Sequence, residues 1–246
     1  MDRAAKAPTH RAAILAGAIL AAAMTPALAT SNYEYKTGEY VVIADGLAPD
    51  KRLSIAAHGG GDLGYDGFRL YLMAEPAHTA IAPLDSITGD MILDTGAGAY
   101  HAAWSSDSRH VAVHLRTDRH VLTVFLYEVH RHRAHLLDAP SLFAAVTTDM
   151  PESTDAYVSL TSRSVLTWTD NVNFVLRERR LFRVSTPALA RKLGRFGRRT
   201  ADDSKPTEGE GKTSSKYFLA FSAVAVCRLK PGRGCRMLHL KAGPFD

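Results

Sequence analysis

A mostly β chain is what this sequence predicts, and three observations predict it. Val, Ile, Leu, Tyr and Phe come in short runs, strongly periodic amphipathic helices are scarce, and Asp, Ser, Pro and Gly clusters punctuate the runs. The chain has 246 residues, enough for one well-buried domain.

The first element is an address. Arg3, Lys6 and Arg11 form a positive start, an apolar run extends from Ala12 to Met24, and Ala27-Leu28-Ala29 precedes Thr30. These are the three parts of a secretory signal peptide. The apolar run falls short of the about 20 residues that a membrane-spanning helix needs. Residues 1–29 are therefore expected to be a Sec-type signal cleaved after Ala29. That leaves 30–246 as a single β domain in the periplasm or outside the cell, with no stable membrane span. No Cys stands at the cut to take a lipid anchor. Losing the signal removes three basic residues and one acidic residue, lowering the formal charge from +5 to +3. So mild a charge on an exported chain argues against a nucleic-acid partner.

Strands are expected at Glu39–Ala44, Leu53–Ala57 and Phe68–Met73, where apolar residues alternate with small or polar ones. The best-defined hairpin joins Arg109–Thr117 to His120–Val129. Pairing Thr117 with His120 sets Val111, Val113 and Leu115 against Leu126, Val124 and Leu122, leaving His110, Ala112 and His114 on the other face with Tyr127, Phe125 and Thr123. Both faces are apolar or aromatic enough for a sheet packed between two neighbours. Ser141, after Pro140, caps a short helix to Val146, and a second helix over Pro187–Arg199 is broken by Gly194 and Gly197. Further strands are expected at Val158–Leu160, Val172–Arg177, Leu181–Val184, Phe218–Cys227 and Arg236–Lys241. Residues 200–216, polar and rich in Asp, Ser, Glu, Gly and Lys, are expected to be a disordered loop.

Three segments look like variants of one unit: Ala48 to Ala56, Trp104 to Val113, and Trp168 to Val175. In each, a strand ends, Asp with Ser, Thr or Pro forms a turn, and apolar residues alternate along the return. The Asp side chain suits such a turn because it can accept backbone N–H groups two residues on. Trp104-Ser105-x-Asp107-x-Arg109-x-Val111-Ala112-Val113 resembles the Trp-Ser-Pro-Asp-Gly-Lys/Arg repeat of TolB-type β-propellers. The first segment resembles it without the Trp, the third more faintly, and all three lack the turn glycine. The resemblance covers about a third of the mature chain. It implies a partial or small propeller-like arrangement of antiparallel sheets and transfers no catalytic residue. A two-sheet β-sandwich is the alternative.

Few residues invite chemistry. Ile92-Leu93-Asp94-Thr95-Gly96-Ala97 looks like the active-site turn of retropepsin-type proteases, but no glycine occurs between Gly98 and Gly194 to make the flap. His130 and His132 would share a strand face that could hold a metal with His135 or Asp138, but the interleaved Arg131 and Arg133 disfavour a cation. The glycine-rich run from His58 to Gly67 leads into a strand, so it lacks the helix N-terminus that an anion loop uses. Arginines at 177, 179, 180 and 183, and a second group from Arg191 to Arg199, form either a solvated face or a grip on an anionic envelope component. The common hydrolase and nucleotide signatures are absent, and no cofactor is implied.

Cys227 and Cys235 are the two cysteines, and so close a pair in an exported chain reads first as a disulfide. Pro231-Gly232 supplies the turn between them, and a bulge at Gly234 would bring them into register. A redox-active pair and two free thiols are the alternatives. The function expected is an exported, non-enzymatic binding or scaffold protein of the cell envelope, partnered by an envelope protein or an anionic component. The rival is a secreted hydrolase with Asp94, His130 and His132 as its first suspects.

Overall fold

The computed structural model describes residues 33–60, 67–130, 132–148, 156–184, 187–200, 217–230 and 234–245, without the side chains of 156–158. The expected signal peptide, most of the glycine-rich run, Arg131, residues 201–216 and the Pro231-Gly232 turn lie outside the described residues. Strands make up 57% of the structure and helices 12%, so the chain is mostly β.

Thirteen strands fall into three antiparallel units. The first is β1 (Val41–Leu47), β2 (Leu53–His58), β3 (Arg69–Ala74) and β4 (Thr79–Pro83), each paired with the next. The second is β5 (His101–Trp104), β6 (His110–Asp118), β7 (Val121–His130) and β8 (Arg133–Leu137). The third contains β9 (Ala156–Trp168), β10 (Asn173–Val184), β11 (Gly197–Thr200), β12 (Tyr217–Leu229) and β13 (Cys235–Ala242). It runs β9-β10-β12-β13, with β11 added along the first residues of β12. Between units the hydrogen bonding is slight and parallel. Ala44 pairs with His101, while Val121 and Leu122 pair with Thr161 and Ser162. These joins make one open mixed sheet, with no closed ring of blades and no second sheet of a sandwich among the described residues.

Side-chain parity then decides the packing. In the middle unit Val111, Val113, Leu115, Tyr127 and Val129 join a core with Ile43, Ile55, Ala57, Leu70 and Leu72 of the first unit. The alternate residues Ala112, Val124 and Leu126 join a second core with Phe174, Leu176, Phe182, Leu219 and Phe221 of the third. The middle unit is thus buried on both faces, as the hairpin's composition predicts.

The register of that hairpin differs by one from the sequence expectation. Asp118 pairs with Val121, and Val111 faces Tyr127, Val113 faces Phe125 and His114 faces Val124. Arg119-His120 forms the tip, the Asp118 carboxylate accepts the His120 N–H at 3.4 Å, and Thr117 is bulged. A one-residue slip moves a strand's side chains to the opposite face. His110 and His114 therefore share a face with Leu126 and Val124, turned toward the third unit. By the same parity His130 belongs to that face.

Two strand boundaries also move, for one reason. The charged run Arg177-Glu178-Arg179-Arg180 suggests a break, yet β10 passes through it unbroken. Glu178 is fully buried and fully engaged. Arg180 pairs with it at 2.6 Å, Leu142 N donates to it at 2.7 Å, and Arg163 stands at 3.8 Å. Ser141 accepts the Ala144 N–H and caps α1 (Leu142–Val146) beside that carboxylate. Arg163 also donates to the carbonyls of Ala139 and Pro140, anchoring β9, which runs far past Val158–Leu160. The second helix, α2 (Ala188–Leu193), stops at Gly194, which has φ of 50°, and its expected remainder becomes a 3-10 turn and β11.

Candidate functional site

The three similar segments occupy equivalent places. Each is the turn between the first and second strands of its unit: β1–β2, β5–β6 and β9–β10. One backbone bond closes each turn: Ala48 N to Leu53 O at 2.9 Å, Ser105 N to His110 O at 2.9 Å, and Thr169 N to Asn173 O at 2.9 Å. In each, the aspartate accepts the N–H two residues on, Arg52 for Asp50, Arg109 for Asp107 and Val172 for Asp170. Lys51 and Ser108, each directly after the turn aspartate, adopt left-handed φ of 58° and 59°. Two non-glycine residues thus hold the conformation that glycine would take without a Cβ penalty. The third turn is one residue shorter, which accounts for its fainter pattern.

The turns also touch each other in a row. Asp50 N donates to Ser108 Oγ at 3.1 Å, and Ser106 Oγ donates to Asn171 Oδ1 at 2.5 Å. The two indoles repeat one contact: Trp104 Nε1 donates to Gly46 O at 3.0 Å, and Trp168 Nε1 to Ala103 O at 2.8 Å. Each tryptophan thereby reaches the strand end of the unit before it. Ridge and gap follow from this spacing. Between the second and third turns lies an open groove of about 440 Å³, lined by Ala103, Trp104, Ser106, Thr167, Trp168, Thr169 and Asp170. Two half-exposed indoles, hydroxyls and one carboxylate suit a ligand or segment with an apolar face and a polar edge. Hydrogen bonds from Asn173 and Val172 hold the Asp170 carboxyl below the usual carboxylate range.

Histidines line the seam below the groove. His110 stacks on Trp168 at 5.9 Å between ring centroids, and burial lowers its pKa. His114 Nε2 accepts the Val165 N–H at 2.9 Å, tying the second unit to the third. Burial first, then the nearby His101, drives the His114 pKa down to about 4. It is a neutral structural acceptor.

The residues suspected from sequence go elsewhere. Asp94 is buried in the β4–β5 connection, where its carbonyl accepts the Tyr100 hydroxyl and the neighbouring Thr95 carbonyl accepts Tyr35. His130 and His132 are exposed at the β7–β8 turn, at the same end of the middle unit as the β5–β6 turn, where Val129 N donates to Arg109 O at 2.7 Å, but neither lines the groove. No group of three or more His, Cys, Asp or Glu side chains assembles for a metal among the described residues. Arg180 turns inward to Glu178, whereas Arg177, Arg179 and Arg183 alternate with core residues and face outward.

Cys227 and Cys235 are both free thiols, Cys227 buried and Cys235 half-buried. Register sets Cys227 opposite Met237 and Cys235 opposite Leu229, two steps from the direct pairing expected. The bulge lies at Leu238, not Gly234. Gly234 instead takes φ of 78°, and a Cβ there would meet Asp138 O at 2.6 Å. The thiols are neighbours across the strands. A hydrogen bond from Cys235 lowers the Cys227 pKa, and the same bond raises that of Cys235.

Sequence reasoning missed the groove, although its signal was present in the two tryptophans 64 residues apart. The chain matches no protein-family model, no curated protein and no solved structure.

Proposed function

We propose that this chain is an exported, non-enzymatic binding or scaffold module of the cell envelope, with TolB-like repeat turns as its recognition edge. The observation that supports this reading is the row of three equivalent turns, with the Trp104–Trp168 groove between the second and third. Repeat turns that contact each other present a rigid edge while loops elsewhere vary. The partner is an envelope protein or an anionic envelope component. Ser106→Arg fills the groove from an exposed position and should abolish capture of that partner from solubilised envelopes, while the exposed Leu136→Ser should not. Turnover in a hydrolase screen that Asp94→Asn abolishes would overturn the binding reading.

Export carries two further expectations. A reporter active only after export, fused to residues 1–35, should be active, and Thr30 should be the mature N-terminus by mass spectrometry. In an oxidising compartment the Cys227 and Cys235 thiols give up two protons and two electrons to the resident oxidant and form a disulfide. Thiol titration of the unfolded, unreduced protein tests the bridge: two free thiols per chain refute it.

A further inference from the structure

The outward face of the third unit docks, we propose, on an anionic lipid surface, its arginines meeting headgroup phosphates and its exposed leucines entering the acyl boundary. This deepens the envelope-binding reading, on which the choice of an envelope surface rests. It uses a different part of the molecule from the groove.

The inference starts from composition. The strands β9 to β13 carry ten Lys or Arg side chains and one acidic residue, Glu178. That one carboxylate is fully buried on the inner face, where Arg180 and Arg163 accompany it. Parity assigns six of the other eight. Phe174, Leu176, Phe182 and Val184 of β10 lie in the core, so Arg177, Arg179 and Arg183 point away from it, Arg183 exposed and the other two half-buried. Leu219, Phe221, Ala225 and Cys227 of β12 lie in the core, so Arg228 points away too, with Arg236 of β13 directly opposite it. Lys241 is exposed and pairs with Val224 on the same face. Among the described residues Asp170 at the edge feels Arg228, but its carboxylate is occupied by its own turn.

Like charges directly opposite on neighbouring strands destabilise a sheet. Arg228 beside Arg236, and Arg177 beside Arg179 two residues apart, form an arrangement that a bound anion would relieve. From Arg177 to Arg183 the row is about 20 Å long, and the sheet around it is several strands wide. Such a face matches an extended anionic surface better than a single small anion.

Apolar exposure selects lipid over a soluble polyanion. Leu160, Leu166 and Leu238 are 38%, 44% and 52% exposed, and they are three of the six exposed large apolar side chains among the described residues, the others being Tyr33, Leu47 and Leu136 elsewhere. Leu160 pairs with Leu181 on the arginine face, and Leu166 and Leu238 are the extra residues of bulges in β9 and β13. Nucleic acid would be met by stacked aromatic rings, and an acidic polysaccharide gains nothing from leucine. Basic side chains with interleaved apolar ones are the pattern of interfacial membrane binding.

The test is cosedimentation of the purified protein with phosphatidylglycerol–phosphatidylcholine vesicles, against phosphatidylcholine vesicles alone. Binding should require the anionic lipid. Each arginine removed should weaken it about fivefold, so the triple change of Arg183, Arg228 and Arg236 to Gln should weaken it about a hundredfold. The same triple change to Lys should retain most of it, which separates charge from folding. Leu238→Ser should weaken vesicle binding but leave binding to soluble polyphosphate unchanged. Equal binding to both vesicle types, or no effect of the Gln triple, overturns the proposal. So does full competition by polyphosphate or single-stranded DNA together with indifference to Leu238→Ser, which would assign the face to a soluble polyanion. Ser106→Arg should bind vesicles normally, so failure of the groove reading and failure of this one are separately visible.

Discussion

The first and third units have the same strand–turn–strand plan and opposite outward faces. On the first, Tyr40, His58 and Tyr71 pack together with ring centroids 4.4 and 5.2 Å apart, and Ser54, Glu75 and His78 join in hydrogen bonds ending on the Tyr40 carbonyl. Ser54, Ala56 and Met73 beneath them are fully buried. That face is covered by its own chain and its charges are paired locally. On the third, the one acid of the described strands, Glu178, lies inside, while Arg183, Arg228, Arg236 and Lys241 are exposed on the outside. The inner faces, which build the two cores, are constrained to be apolar. The outer faces are covered only in part, the first by its own aromatic cluster and the third where Gly243 and Pro244 lie on Ser222 and Val224, and they diverge accordingly.

The sharpest break in this comparison is at the buried acid. Glu178→Gln leaves Arg180, and Arg163 beyond it, without a counter-charge inside the third unit. Removing one partner of a buried pair costs roughly 3–5 kcal/mol. Glu75→Gln in the first unit disturbs a pair with an exposed partner and should cost under about 1 kcal/mol. Urea unfolding of both variants checks the contrast, and equal midpoints would show that the third unit does not depend on its inner charge.

Acidification separates the same regions by sign. His114 at the seam with the third unit has a folded pKa near 4, below the ordinary histidine value, so the folded state binds fewer protons than the unfolded one between those pH values. Its contribution is present above about pH 6.5 and is lost as pH falls toward 4, a loss of roughly 3 kcal/mol. His78 in the first unit behaves oppositely. The Tyr40 carbonyl first, then Glu75, raises its pKa, so its smaller, solvent-screened contribution is present at low pH and disappears as pH rises through the folded value. Melting curves from pH 7 to 4 should show a loss that His114→Gln reduces and His78→Gln does not. A His114→Gln protein as acid-sensitive as the parent would contradict the seam's dependence on a neutral imidazole.

How legible was this in the sequence? Apolar runs bounded by turn-forming or polar residues, such as β2, β3 and β12, fall within a residue or two of expectation. The turns with Asp50, Asp107 and Asp170 were legible down to the hydrogen bond each aspartate accepts, because that bond is local. What failed was non-local. The β6–β7 register turned on a bulge at Thr117 that no hydrophobic pattern marks, since both faces of that hairpin are apolar. The continuity of β10 depended on a buried carboxylate finding Arg180 and the start of α1, residues brought together only by the fold. The groove likewise needs two units side by side, whereas the sequence shows each tryptophan alone.

The smallest expected effect compares the turns themselves. Lys51 and Ser108 hold left-handed φ directly after the turn aspartate, and the third turn avoids the conformation by being one residue shorter. A left-handed residue with a Cβ costs about 1–2 kcal/mol, of which glycine's greater freedom in the unfolded chain returns part. Lys51 is exposed and its side chain makes no hydrogen bond within the turn, so Lys51→Gly should stabilise the protein by about 0.5–1 kcal/mol. Ser108 differs, because its Oγ accepts the Asp50 N–H and links the first turn to the second. Ser108→Gly gains the same backbone relief but gives up that bond, worth about 1 kcal/mol, and should come out near zero. Denaturant midpoints at constant slope measure both. If Ser108→Gly stabilises as much as Lys51→Gly, the Asp50–Ser108 bond contributes nothing to holding the first turn against the second.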